Sequence, residues 1–584
     1  MKKNHRFTVI SIVFLIFTLV GCNSGVQNAA LPTETSATSS TASTTVQQET
    51  SETQNETSNT QQVTTETQQK NSETQQATQA SSAEKSESGV TYPLEGNPTI
   101  TITRSADTDL PTAGFTSYND TANTRYWSEA TGINIKYIEP ADGTALLLNF
   151  ASGSVSEVVI CGMTFYPGGV GAMVSDGLAT DLTELLPEYA PDYWNFVNSF
   201  SQYLKVAREI DGKFYNINGY FYEEGSFARF WFGLVARKEY LDQLGIGPPT
   251  TIDELYSYLF RLKNELGVET PFMSDKSRFD SMFSGDGCLS SAFGFATAGR
   301  YHIGDQVYFG AYQHEYKELL AWLNKLYIEG LLDVNFAVTD EPTANAAMLS
   351  GNSGLMVTAS SRLSNMMLAA DSEDFNLLGL SPLKQPDGSK ALFSFADPYV
   401  SGGHVGFITA KATQEQTINA LKMFNYLYTD EGKIMSNFGR EGETFDYVNG
   451  KPILNKFITE NQDGIPKDGQ LRVNCMLNFP IIFLPEMTEQ RFSMPAMRAA
   501  LDAWAVSDSD LYKIQNSSIA PEFAEEYASL WTDIDTYIKE SRAKFISGEL
   551  PIDSFETVYI PTLEEMGIKR VMEIYQSSYE LYNK

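Results

Sequence analysis

Residues 98–104 read Pro-Thr-Ile-Thr-Ile-Thr-Arg. Ile100 and Ile102 alternate with threonines, the period-2 pattern of a strand with one buried face. Downstream, Tyr126 to Ala130 has helical character, and Gly132 ends it. Ile133, Ile135 and Tyr137 then alternate again. Leu146 to Ala151 is helical, and the short run Glu157–Cys161 reads as a continuous apolar strand. Strand, helix, strand, helix, strand predicts parallel pairing through crossover helices, which is an α/β fold.

Upstream of this block the chain is of another kind. Lys2, Lys3 and Arg6 precede an apolar stretch from Phe7 to Val20, and Leu19-Val20-Gly21-Cys22 closes it. An apolar run of about 14 residues falls short of the roughly 20 that a membrane span needs. A basic start, a short apolar centre and a small residue before a cysteine read as a secretion signal. The pattern looks like a bacterial lipobox, with diacylglycerol on the Cys22 sulfur. From Asn23 to about Gly89 the chain is almost entirely Ser, Thr, Gln, Glu, Asn and Ala, without one aromatic ring. Such a composition cannot bury enough apolar surface to offset ordering entropy, so a disordered tether is expected. A coil of about 67 residues spans roughly 45 Å on average. The expected division is residues 1–21 as signal, 22–96 as lipidated cysteine and linker, and 97–584 as the folded body.

The body is long enough for two or more lobes. The chain carries 30 Tyr and 35 Phe, ample for a large core, and a net charge of −32. That charge argues against nucleic acid, whose binders neutralise phosphates with Lys and Arg. It favours solubility and a neutral or cationic ligand. Cys161, Cys288 and Cys475 are scattered and form neither a disulfide framework nor a metal-binding spacing. Helix signals follow. Thr251 and Glu254 form a capping box ahead of Leu255, Leu259, Leu262 and Leu266, with Gly267 to close the end. Tyr316, Leu319, Leu323 and Leu326 make a second stripe, stopped by Gly330. Thr413 and Gln416 make another box before Leu421, Phe424 and Leu427. The region from about Glu522 to Lys584 is helix-rich and aromatic.

Several longer stretches share one resemblance. Arg237-Lys238-Glu239-Tyr240-Leu241-Asp242-Gln243-Leu244-Gly245 leads into Pro249-Thr250-Thr251-Ile252-Asp253-Glu254-Leu255. Leu326-Tyr327-Ile328-Glu329-Gly330-Leu331-Leu332-Asp333 follows, then Tyr426-Leu427-Tyr428-Thr429-Asp430-Glu431-Gly432. Gly439-Arg440-Glu441-Gly442 with Phe445, then Phe545-Ile546-Ser547-Gly548 and Ile574-Tyr575-Gln576, complete the series. In this order the motifs resemble extracellular solute-binding proteins of ABC importers, in particular the large lipoproteins linked to oligosaccharide uptake. The resemblance covers nearly all of Asn97 to Lys584. Phe445 stands where the family usually has Tyr. The loop Glu265-Leu266-Gly267-Val268-Glu269-Thr270-Pro271 lacks the closely spaced oxygen ligands that calcium needs. No metal and no cofactor is therefore expected.

The resemblance implies a type II, two-lobed clamshell of the periplasmic-binding-protein kind, with hinge segments and a helical C-terminal region. Lobe 1 is expected over about 97–228 and 400–440, and lobe 2 over about 229–399 and part of 441–584. Crossings are expected near Glu223–Trp231 and near Ala396–Gly406. The ligand would sit between lobes at the carboxyl ends of strands, and closure around it would be what a permease reads. Sugars offer apolar faces to aromatic rings and hydroxyls to polar groups. Tyr215, Tyr220, Tyr222 and Trp231, in the ring-dense segment from Lys213 to Phe232, are candidates. So are Thr164, Phe165 and Tyr166 after the strand ending at Cys161, Asp109 and Tyr118 after the first strand, and Tyr399 and His404 at the return crossing. The implied protein is a monomeric, lipid-anchored binder on the outer face of a membrane, of Gram-positive type. Its partners would be an oligosaccharide solute and permease subunits.

Two other readings are open. A surface glycoside hydrolase would need two carboxyl groups across a cleft, for which Glu223, Glu224 and Glu441 are available. With 73 acidic residues in the chain, that availability carries little weight. His302, His314 and His404 form no HExxH pattern, and no Gly-x-Ser-x-Gly elbow or P-loop occurs. A ligand-sensing or adhesion lipoprotein could use the same clamshell.

Overall fold

The computed structural model describes residues 89–107, 110–163, 165–221, 227–284, 287–372, 374–394, 400–460, 465–514 and 518–583. Cys22 and residues 23–88 lie outside the described residues; residues 89–96, expected in the linker, are described, and there Tyr92 is buried with its hydroxyl donating to the Lys422 carbonyl at 2.6 Å. Among the described residues, in chain order, nine strands build two sheets. They are β1 (Thr99–Thr103), β2 (Asn134–Ile138), β3 (Val158–Cys161), β4 (Asn216–Phe221), β5 (Phe232–Arg237), β6 (Leu355–Ala359), β7 (Leu377–Gly379), β8 (Val400–Ile408) and β9 (Ile482–Phe483). Two short hairpins, Arg300–Ile303 with Gln306–Phe309 and Phe445–Val448 with Lys451–Leu454, stand apart from them.

The first sheet has the order β9-β4-β8-β3-β1-β2. β1 pairs in parallel with β2, Ile100 against Ile135, and with β3, Thr103 against Val159. The period-2 reading thus holds, and the parallel pairing it implied is present. β8 runs antiparallel between β3 and β4, with its register shifting between Ser401 and Gly406. The second sheet, β6-β5-β7, is antiparallel throughout. The chain passes from the first sheet to the second after β4, returns at β8, and leaves again after β9. These passages make it a two-lobed α/β protein.

Nine helices matter below: α1 (Ala122–Thr131), α2 (Gly143–Ala151), α3 (Ile252–Glu265), α4 (His314–Ile328), α5 (Gln414–Tyr426), α6 (Lys467–Asn474), α7 (Pro495–Trp504), α8 (Ala524–Ser547) and α9 (Ile568–Asn583). Gly132 closes α1 at φ 71°, a left-handed conformation that glycine adopts without a steric penalty. At α3 the expected box forms only in part. Thr251 Oγ1 accepts from the Glu254 amide at 3.3 Å, but the Glu254 carboxylate reaches one residue further, to the Thr250 amide and hydroxyl. At α5 the box is reciprocal. Thr413 Oγ1 accepts from the Gln416 amide at 3.2 Å, and Gln416 Oε1 accepts from the Thr413 amide at 2.9 Å. Thr413→Ala is expected to lower stability by about 1 kcal/mol in urea unfolding, because it strands helix N–H groups. A change within error would mean that water replaces the cap at no cost.

The first lobe's core joins Ile100, Ile102, Trp127, Val158 and Ile217 to Leu421 and Phe424 of α5. The second lobe's larger core joins Leu255, Leu259 and Leu262 of α3 to Leu319 and Leu323 of α4. The C-terminal helices pack on that second core through Ile534, Ile538 and Phe545 of α8 and Val571 and Ile574 of α9. The stripes read from sequence therefore face the interior. At the end of α9, Tyr582 Oη donates to the Lys205 carbonyl at 2.6 Å and Asn583 Oδ1 accepts from Lys205 Nζ at 2.7 Å. The C-terminal helices thus touch the first lobe too. Cys161, Cys288 and Cys475 are buried and unbridged.

Candidate functional site

β1 and β3 end side by side, and the residues that follow them open a cavity of about 380 Å³. Arg104, Ser105, Ala106 and Asp107 enter it from β1, and Cys161, Gly162 and Phe165 from β3. His404 enters from β8, which runs back past β3 with Val405 opposite Cys161. Arg472 of α6 and Asn478 complete the wall. This is the carboxyl end of the parallel strands, where open α/β sheets hold ligands.

Asp107 organises the polar side. Its Oδ2 accepts from Tyr118 Oη at 2.7 Å, Asn478 Nδ2 at 2.7 Å and Arg472 Nη1 at 3.2 Å. Tyr118 is fully buried, and burial first of all pushes its phenol up to about 12, so it stays a donor. Above it lies Arg104, whose guanidinium carbon stands 4.0 Å from the Tyr118 ring centroid and 5.0 Å from that of Phe479. Such stacking is favourable when the cation is desolvated. Cys161 is buried, and burial raises its thiol to about 12, which makes it an inert wall rather than a nucleophile.

The His404 imidazole is pushed down to about 3, first by burial and next by the positive charge of Arg104, with Asp107 opposing. It is neutral at physiological pH. An unfolded chain protonates this ring near pH 6.5, whereas the folded one does not. The stability linked to the ring is therefore complete above pH 6.5 and declines as pH falls from there toward 3. NMR titration of the ring C–H signals is expected to show no inflection between pH 8 and 5, and His404→Gln should flatten the acid limb of the melting profile. An inflection near 6.5 would mean that the ring is solvated.

The structure distributes the residues singled out from sequence unevenly. Phe165 and His404 line the cavity, and Tyr118 lies beneath it. Tyr166 turns aside, its hydroxyl on Asp176 at 2.6 Å. Tyr215 is buried against Val405 and Phe407, its hydroxyl on Asp211. Tyr220 is fully buried in a ring cluster with Tyr193, Phe196, Tyr203 and Tyr428. Trp231 packs beside Phe232, with Arg278 over its ring. Asp109, Thr164, Tyr222 and Tyr399 lie outside the described residues, as do Glu223 and Glu224. Arg104, Asp107, Arg472 and Asn478 were missed. Arg104 closes the very strand that decided the fold, and its position at a strand's carboxyl end was the signal available.

A larger cavity of about 620 Å³ lies elsewhere on the first lobe, between α1, α5 and the Gly439-Arg440-Glu441 turn. Arg440 there joins Glu129 and Glu443 and stacks on Tyr126 at 4.4 Å. Its cation is already matched by those two carboxylates. The smaller cavity is the better candidate on chemistry.

No family model matches the chain. A polygalacturonan/rhamnogalacturonan-binding protein, YtcQ of Bacillus subtilis (strain 168), is 22% identical over 406 residues, 67% of this chain and 75% of that protein. Among solved structures, the alginate-binding protein AlgQ2 aligns with a TM-score of 0.68 at 19% identity, covering 84% of this chain and 99% of its own. The Streptococcus pneumoniae ABC-transporter substrate-binding protein FusA, in complex with kestose, aligns at 0.64 and 19% identity, covering 83% of this chain and 99% of its own. The resemblance carried by the motifs is borne out, and the chain has the type II, two-lobed fold of the solute-binding proteins of ABC importers.

Proposed function

We propose that this protein is the substrate-binding component of an ABC importer, capturing an oligosaccharide between its lobes and presenting it to a permease. The carrying observation is the polar, ring-floored cavity at the carboxyl ends of β1 and β3, in a chain that passes three times between two sheets. Asp107, Asn478 and the arginines suit sugar hydroxyls, and Phe165 offers a face for a ring. YtcQ, AlgQ2 and FusA, by their names, bind polysaccharide or oligosaccharide. Trp231, and Tyr222 and Tyr399 outside the described residues, stay proposed contributors from the crossings. Anchoring rests on Cys22, and among the described residues no helix is long and apolar enough to cross a membrane.

The reading requires binding without turnover. Purified protein screened by thermal shift against plant and bacterial oligosaccharides should yield a stabilising ligand. At 100 times its dissociation constant, a ligand adds about 2.7 kcal/mol. Small-angle scattering should then show compaction, and chromatography should return the sugar intact. Released fragments would establish the hydrolase instead, and a hit without compaction would count against delivery by closure.

A further inference from the structure

We propose that the cavity at the ends of β1 and β3 holds the carboxylate of an acidic sugar unit, a uronate, and that Arg104 grips it; this rests on the solute-binding reading above. Arg104 is only 4% exposed yet lines the cavity. Its Nη1 donates at 3.4 Å to the Asn478 carbonyl, a long contact to a neutral group, and its buried Nε has no partner. Among the described residues no carboxylate reaches it. A guanidinium cannot shed its charge by losing a proton. Buried without a counter-ion among the described residues, it is costly to the folded protein.

Among the described residues, the neighbours do not supply that counter-ion. Asp107 is engaged by Tyr118, Asn478 and Arg472. The charged groups of the described lining are then two guanidiniums and one carboxylate, Arg104 and Arg472 against Asp107, and His404 is uncharged. A neutral sugar would offer Arg104 only hydroxyls. A carboxylate offers two oxygens in the plane of the fork, the geometry that guanidinium favours.

The test compares ligands before it compares variants. Oligomers of galacturonate, mannuronate and glucuronate are titrated calorimetrically into the whole protein, each beside its uncharged methyl ester. At least one acid should bind tenfold or more tightly than its ester, and the gap should shrink as salt rises. Arg104→Gln should bring acid and ester level, and Arg104→Lys, which keeps the charge but loses the fork, should retain part of the preference. Melting curves check that both variants fold; if they do not, the acid–ester comparison decides alone. Equal binding of acid and ester, or binding of neutral or sulfated oligosaccharides only, overturns the uronate assignment and leaves the solute-binding reading intact. Binding of no saccharide overturns both.

Discussion

Replacing Trp504 by alanine is expected to lower folding stability by about 3–5 kcal/mol, the usual range for removing a buried tryptophan. Trp504 is 1% exposed at the end of α7, and its indole N–H donates to the Leu234 carbonyl of β5 at 3.1 Å. The ring lies flush on Gly233, where an added Cβ would come within 2.5 Å of the indole nitrogen. α7 belongs to the last passage of the chain into the second lobe, where it packs on β5 and β7 with Ala500 and Leu501. The alanine variant would therefore open a cavity, remove one of the two donors to the Leu234 carbonyl, which keeps the Leu380 amide, and loosen the last segment at once. Trp504→Phe should lose much less, because most of the volume stays. Gly233→Ala should destabilise from the other side of the same contact. Urea unfolding checks all three, and a loss below about 1 kcal/mol for Trp504→Ala would mean that the site collapses around the hole.

Removal of the Asp107 carboxylate should cost about 3 kcal/mol, near the lower end for breaking a buried ion pair, and should also abolish ligand capture. The Asp107 side chain is 8% exposed and that of Arg472 is 24% exposed, so water compensates the arginine in part. Asp107→Ala leaves Tyr118 and Asn478 without their acceptor and takes from Arg472 the carboxylate it bonds at 3.2 Å. Asp107→Asn retains an acceptor and should keep about half of the loss from appearing. Unfolding in urea and calorimetric titration with any ligand found by thermal shift read the two effects separately. An alanine variant of unchanged stability would show that the cluster carries no structural load.

Much of the architecture was legible because it is written in short-range patterns. The alternation at Ile100 and Ile102, the stop at Gly132 and the box at Thr413 each involve groups a few residues apart, and each is present. The box at Thr251 was half legible: the cap formed, but the carboxylate found Thr250 instead, a choice between neighbouring donors that spacing does not make.

The aromatic segment from Lys213 to Phe232 shows a different limit. Phe214, Tyr215, Tyr220 and Phe221 are buried in the first lobe or beside the crossing. A ring that stacks on a sugar and a ring that fills a core have the same composition, so density alone could not separate the roles.

By itself the sequence determined the α/β class, the helix ends, the motif order of the family and the basic–apolar–cysteine start, since each depends on the periodicity or identity of neighbours along the chain. Only the tertiary structure assembled the candidate site. Asp107 meets Arg472 and Asn478 across separations of 365 and 371 residues. That meeting depends on β8 and β9 inserting beside β4 and on α6 returning to the end of β1. Burial of one face is a local instruction to a helix or strand, whereas the partner met by a buried charge is set by where the chain comes back.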